Sequence, residues 1–174
     1  KLALRGKRLG FSLAEIRELF ALADRFASDL RGHADLCRGM ISASLFYEPS
    51  TRTHSSFEVA AKRLSADVTN FDVGHSSITK GESVRETVET LQAMRTDFII
   101  VRHARSGLPG MIAKQTRASV INAGDGAHAH PTQALLDAFT IKEKFPDPVG
   151  KKVLIIGDIL HSRVARSTST ILKK

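Results

Sequence analysis

Residues 49–53 read Pro-Ser-Thr-Arg-Thr, set between an apolar run at 41–46 and a stretch with Phe57, Ala60, Ala61 and Leu64 at helical spacing. That pattern is a strand, a turn of small hydroxyls and a helix start. The first N–H groups of a helix have no intrahelical partner and carry partial positive charge. Ser50, Thr51 and Thr53 add hydroxyl donors, and Arg52 adds a planar fork that matches a phosphate. Ser50 alone would be read as an ordinary helix cap. Arg52 is the distinguishing residue, because a cation in a first turn opposes the helix dipole unless it serves a bound anion. The chemistry implied is the grip of a phosphoryl group.

Four further segments carry polar groups behind apolar runs. Arg102-His103 closes one run. Asn122-Ala-Gly-Asp-Gly126 leads into His130-Pro-Thr-Gln133. Gly157-Asp158 leads to Arg163, and residues 75–81 form a polar loop with Ser76 and Lys80. A lone histidine is usually a packing or solvated residue. His130 instead follows a glycine-rich loop and precedes a proline-started helix, so its ring can face a cleft. There it would donate to a carbonyl oxygen that gains charge in a transition state, an interaction worth about 3 kcal/mol of barrier. Gln133, one turn on, lies on nearly the same face and suits an amide NH2. Gly124 and Gly126 let backbone approach a ligand. Arg102 is placed to donate to a phosphate or a carbonyl. Lys80, by default a solvated loop lysine, reads functionally as a cation that closes over an anion. Gly157-Asp158 lacks the second and third glycines of a dinucleotide turn, which excludes NAD binding. No Ser-His-Asp or Cys-His arrangement points to a covalent intermediate, and no Cys/His cluster has metal-ligand spacing. Neither metal nor cofactor is expected.

The elements that must position these groups follow from periodicity. Residues 12–29 predict a helix, with Ser12 and Glu15 spaced as a capping box. Strands are predicted at 40–46, 68–73, 97–102 and 119–122, and helices at 51–64, 82–94, 108–115 and 131–144, the last with Pro131 in its first turn. Alternating strands and helices predict an α/β fold, a parallel sheet with helices on both faces. Each candidate segment then falls at the carboxyl end of a strand, where open parallel sheets bind ligands. Phe145-Pro-Asp-Pro-Val-Gly150 breaks the pattern, so residues 1–146 and 147–174 are read as two units. The second unit predicts a strand at 152–156 and a helix from Ser162. A strand-helix pair cannot bury its own faces, so this unit is expected to need further chain.

Composition narrows the classes. At 174 residues and 42% hydrophobic content, the chain suits an ordinary globular core. The formal charge of +8 fits a solvated basic surface or a cleft for a small anionic substrate. The basic residues are scattered and do not interleave with aromatics, which argues against nucleic acid. No apolar run reaches membrane-span length, and residues 1–10 lack a signal-peptide core. Cys37 stands alone, which suits a reducing, cytoplasmic compartment.

Taken together, Phe46-Tyr-Glu-Pro-Ser-Thr-Arg-Thr53, Lys80-Gly-Glu-Ser83, Arg102-His103, Asn122 to Gly126, His130 to Gln133 and Gly157-Asp158 with Arg163 resemble the motifs of the aspartate carbamoyltransferase catalytic chains, in the same order. The resemblance implies a phosphate site for carbamoyl phosphate at Ser50, Thr51, Arg52 and Thr53. It implies carbonyl contacts from Thr53, Arg102 and His130, and an amine contact from Gln133. Arg163 would bind a carboxylate of L-aspartate. Ser76 and Lys80 would act in a neighbouring subunit's site, so a homotrimer with shared active sites is implied. Regulatory or dihydroorotase-type partner chains also occur within that resemblance. His54 stands where the family usually has a second arginine, and Ala104 where a proline is common. Family chains are expected to run to about twice this length, with the remaining aspartate-binding residues in the second half. The alternatives are an ornithine-type carbamoyltransferase and a catalytically silent homologue with a structural or regulatory role.

Overall fold

The structure is a computed structural model and describes residues 11–71 and 83–174. Among these residues, four parallel strands form one sheet. They are β1 (Ile41–Phe46), β2 (Asp67–Phe71), β3 (Phe98–His103) and β4 (Ser119–Asp125), in the order β2-β1-β3-β4. The helices are α1 (Leu13–Ser28), α2 (Thr51–Arg63), α3 (Val84–Ala93), α4 (Leu108–Ile112), α5 (Pro131–Lys144) and α6 (Arg163–Ile171).

The sheet order explains the two-sided cover. The connection through α2 carries the chain from β1 to one side, whereas the later crossovers carry it to the other. Right-handed crossovers in opposite directions put their helices on opposite faces. Side chains agree. On one face Ala43 and Leu45 of β1, Ile99 and Val101 of β3 and Val120 of β4 form a buried cluster with Val88 and Leu91 of α3 and Leu108 and Ile112 of α4. On the other face Phe46 meets His54 of α2 edge to face, with ring centroids 4.9 Å apart. β3 opens with a continuous apolar run, Phe98 to Val101, and β1 buries Ser42 and Ser44 as well as Ala43 and Leu45, because both are interior strands with both faces covered. The chain reverses its winding at these two strands. Their carboxyl ends therefore border the crevice where such sheets take ligands.

Local chemistry starts the helices. Ser12 with Glu15 and Ser83 with Glu86 form complete capping boxes on α1 and α3. Pro131 opens α5, where a missing N–H is least damaging. α1 lies against α5 through Phe20 and Phe139, at 5.4 Å between centroids, and through Lys142 Nζ to Asp24 Oδ2 at 2.6 Å.

Two expectations need correction. β4 runs to Asp125, three residues past its predicted end at Asn122. Its last residues are held by His103 O, which accepts from Gly126 N at 2.8 Å, and by a short antiparallel bridge between Asp125 and Ala129. The predicted strand at 152–156 does not form, so residues 147–174 contribute the helix α6 without that strand. Strand residues need a hydrogen-bonding neighbour, and no described strand lies beside these; Leu154 and Ile156 stand 82% and 85% exposed. The predicted polar loop at 75–81, with Ser76 and Lys80, lies outside the described residues.

Candidate active site

Past β1 the chain stays beside β3, because Tyr47 N–H donates to Arg102 O at 2.9 Å. This aligns the carboxyl ends of the two central strands. Ser50 then becomes the N-cap residue of α2, in extended backbone, but its side chain makes no capping bond, and no acidic residue follows in the first turn. The serines that start α1, α3 and α6 each accept from the N–H three residues on. The ordinary cap reading for Ser50 is therefore not what the fold uses. The Ser50 hydroxyl and the first N–H groups of α2 remain available to a ligand. Thr51 and Arg52 are exposed, Thr53 is half-buried, and Arg52 makes no ion pair among the described residues.

Across the crevice two guanidinium groups converge. Arg102 Nη1 donates to Ala123 O at 3.3 Å, and its Nε lies 3.5 Å from Glu48 Oε2. Arg163 Nη1 lies 3.1 Å from the same carboxylate oxygen and donates to Gly126 O at 3.1 Å. One oxygen thus holds two like charges near each other. Burial and then the Arg163 charge pull the Arg102 pKa down, and Glu48 opposes them. The glycines predicted from sequence have geometric reasons here. Gly124 sits at φ +119°, and a Cβ there would stand 3.2 Å from Arg163 Cζ and 3.4 Å from Arg102 Nη1. Gly126, at φ +53°, would place a Cβ 2.4 Å from Ala104 O.

His130 completes the cluster. It is 6% exposed, its N–H donates to Ser167 Oγ at 2.9 Å, and its Nδ1 lies 3.3 Å from Thr132 Oγ1. Burial, reinforced by Arg102 and Arg163, pushes its pKa down to about 4, against a weaker pull from Asp137 and Asp125. The imidazole is therefore neutral at ordinary pH. When the Thr132 hydroxyl donates to Nδ1, the ring proton sits on Nε2 and is the donor offered to a ligand. One turn on, Gln133 Nε2 donates to Asp137 Oδ1 at 2.8 Å. His103, next to Arg102, is used structurally: its Nδ1 accepts from Arg105 N–H at 2.7 Å, and its ring packs edge-on against Tyr47 at 4.8 Å. Burial chiefly lowers its pKa as well.

Arg102, His130 and Arg163 are thus brought together. Ser50 to Thr53 line the neighbouring end of β1, and Gln133 stands on the helix turn that carries His130. Sequence reasoning overlooked Glu48, Asp125, Asp137, Ser167 and Thr168 as supporting groups. Asp125, 1% exposed, accepts from Gly107 N–H at 2.7 Å and Asn122 Nδ2 at 2.9 Å and pairs with His128 Nδ1 at 2.8 Å. Glu48 carried a signal: a carboxylate just past a buried strand, among cations. For Asp137 and the α6 hydroxyls nothing local marked them. His54 packs on Phe46, and its Nδ1 lies 3.8 Å from Glu58 Oε2.

The family model for the aspartate/ornithine carbamoyltransferase carbamoyl-P binding domain matches residues 8–143. The chain belongs to this family. Among carbamoyltransferase relatives, the aspartate carbamoyltransferase catalytic subunit of Akkermansia muciniphila is 63% identical over 163 residues, covering 94% of this chain and 50% of that one. The corresponding subunit of Acidothermus cellulolyticus is 56% identical over 155 residues, 89% of this chain and 47% of its own. Among solved structures, aspartate transcarbamoylase of Trypanosoma cruzi in complex with carbamoyl phosphate superposes with TM-score 0.88 at 37% identity, covering 94% of this chain and 54% of that one. The same enzyme with aspartate and phosphate gives 0.87, again at 37% identity, over 93% and 53%. The chain spans about half the length of the carbamoyltransferases it matches.

Proposed function

We propose that this chain forms the carbamoyl phosphate half of an aspartate carbamoyltransferase, which moves the carbamoyl group to the amine of L-aspartate and yields N-carbamoyl-L-aspartate and phosphate, a step of pyrimidine biosynthesis. One observation carries the reading: a neutral, buried His130 sits beside Arg102 and Arg163, at the strand ends next to an α2 start whose serine makes no cap. The names of the relatives support the aspartate branch over the ornithine one.

The dianionic phosphate rests on the α2 N-terminus, with hydroxyls from Ser50, Thr51 and Thr53 and the Arg52 fork. Thr53, Arg102 and His130 Nε2–H face the carbonyl oxygen. The aspartate amine attacks the carbonyl carbon, the carbon–oxygen bond to phosphate breaks, and the amine's excess proton passes to the leaving phosphate. Charge that develops on the carbonyl oxygen meets three donors already in place, one of which, the His130 imidazole, donates while neutral. Gln133 receives the carbamoyl amine, and Arg163 binds a carboxylate of aspartate. No step requires a metal or a cofactor.

Ser76 and Lys80 are proposed to enter a neighbouring subunit's site, and the assembly to be a cytoplasmic homotrimer. Heterologous contacts of that kind close naturally into rings. The proline-rich segment at 145–150 is proposed as the boundary between the carbamoyl phosphate unit and the start of the aspartate unit. The end of the family match at residue 143 supports it.

The test is turnover in the full-length chain. Arg52→Ala is expected to lower kcat/KM for carbamoyl phosphate about a hundredfold, the size of a lost charged hydrogen-bond set. Unchanged kinetics overturn the assignment.

A further inference from the structure

The carboxylate of Asp137 touches two elements at once. Its Oδ1 accepts from Gln133 Nε2 at 2.8 Å, and its Oδ2 accepts from Thr168 Oγ1 at 2.8 Å. Thr168 is a buried residue of α6, whose neighbour Ser167 receives the His130 N–H. A carboxylate has no proton to give to an amide, so Gln133 can face Asp137 with its NH2 group alone. That commitment settles which end of the Gln133 side chain is left over. The end turned away from Asp137 is the carbonyl oxygen Oε1, an acceptor to which no described residue donates. Thr168 in turn fills the second oxygen of Asp137, so the carboxylate is held by α6 rather than free to rotate away.

We propose that Asp137, buttressed by Thr168, is a positioning residue for substrate discrimination: it holds the Gln133 amide with Oε1 turned away as a hydrogen-bond acceptor and so selects an acyl phosphate that carries an N–H over one that carries a methyl group. The inference rests on the proposed carbamoyl phosphate site. It assigns to α6, beyond the proline-rich segment, a part in choosing the first substrate. Were the amide free to flip, Gln133 would present its NH2 group as readily as its oxygen, and an amine and a methyl group would be told apart less well. A site that hydrogen-bonds a substrate N–H rejects the analogue lacking it because its own polar group is then left unpaired.

The experiment uses the full-length chain and three probes: carbamoyl phosphate, acetyl phosphate and inorganic phosphate, with affinities measured by calorimetric titration. Acetyl phosphate keeps the phosphate and the carbonyl and replaces the amine by a methyl group. Asp137→Asn is expected to lower the ratio of carbamoyl phosphate to acetyl phosphate affinity about five- to tenfold, the size of one neutral hydrogen bond, with inorganic phosphate affinity unchanged. Thr168→Val, which keeps the side-chain shape, is expected to lower the ratio by a smaller factor in the same direction. An unchanged ratio in both variants overturns the proposal. So does a parallel loss of all three ligands in Asp137→Asn together with an unchanged ratio in Thr168→Val, since that is a general structural effect. If the unaltered chain binds none of the three, it is the carbamoyl phosphate site itself that fails, and this inference fails with it.

Discussion

His130 offers a proton without carrying a charge. Its surroundings, two guanidiniums and a nearly closed protein interior, make protonation expensive and hold its pKa at about 4 instead of the ordinary 6.5. The sign of the stability effect follows. Above pH 6.5 neither the folded nor the unfolded chain is protonated at this residue, and its contribution is constant. Between 6.5 and about 4 the unfolded chain takes up a proton that the folded chain refuses, so stability falls as pH falls; below about 4 the loss is complete. The span amounts to roughly 3 kcal/mol. Urea unfolding at about pH 7 and pH 4 is expected to show this acid loss in the native sequence and a distinctly smaller one in His130→Gln. Parallel pH curves for the two would contradict the assignment. Glu48 neutralises part of the repulsion between Arg102 and Arg163 through one oxygen, while their Nη1 groups also donate to Ala123 O and Gly126 O.

At the scale of elements, what was legible depended on how far apart the interacting residues lie. The Ser12–Glu15 box, the proline start of α5 and the buried runs of β1 and β3 are short-range patterns, and each reads directly from spacing. The extension of β4 to Asp125 does not, because it is held by Gly107 and by His103 O, from a different strand connection. Likewise Glu48 and Arg163 are 115 positions apart, and Asp137 and Thr168 are 31 apart, so their pairing exists only once the sheet and the α5–α6 contact have formed. The predicted strand at 152–156 fails for the complementary reason: β-branched and apolar residues favour a strand only beside a partner. Asp125 is the element-scale hinge of the site. Asp125→Ala removes a buried acceptor that receives Gly107 N–H and Asn122 Nδ2, and is expected to destabilise the chain by about 2–4 kcal/mol. Thermal or urea denaturation checks it; a change within about 0.5 kcal/mol, the range of a neutral surface substitution, would show that the strand end holds without it.

The whole molecule places its chemistry where the sheet reverses its winding. α2 leaves β1 toward one side, the later crossovers leave toward the other, and the crevice between the two strand ends receives Ser50 to Thr53 from one and Arg102 from the other. α5 and α6 then bring His130 and Arg163 over the same edge. If sites are shared around a trimer, subunits carrying Arg52→Ala mixed with subunits carrying Lys80→Ala are expected to recover activity, because some sites then hold neither change. Proven mixed assemblies with no recovered turnover would count against sharing. The central claim, that α2's open start and Arg52 grip an acyl phosphate which His130 and Arg102 face, is tested most directly by calorimetric titration of carbamoyl phosphate into the native chain and into Arg52→Ala. The account expects saturable binding to the native chain and at least tenfold weaker binding to the variant. Equal affinity for both, or no binding to the native chain, would contradict it.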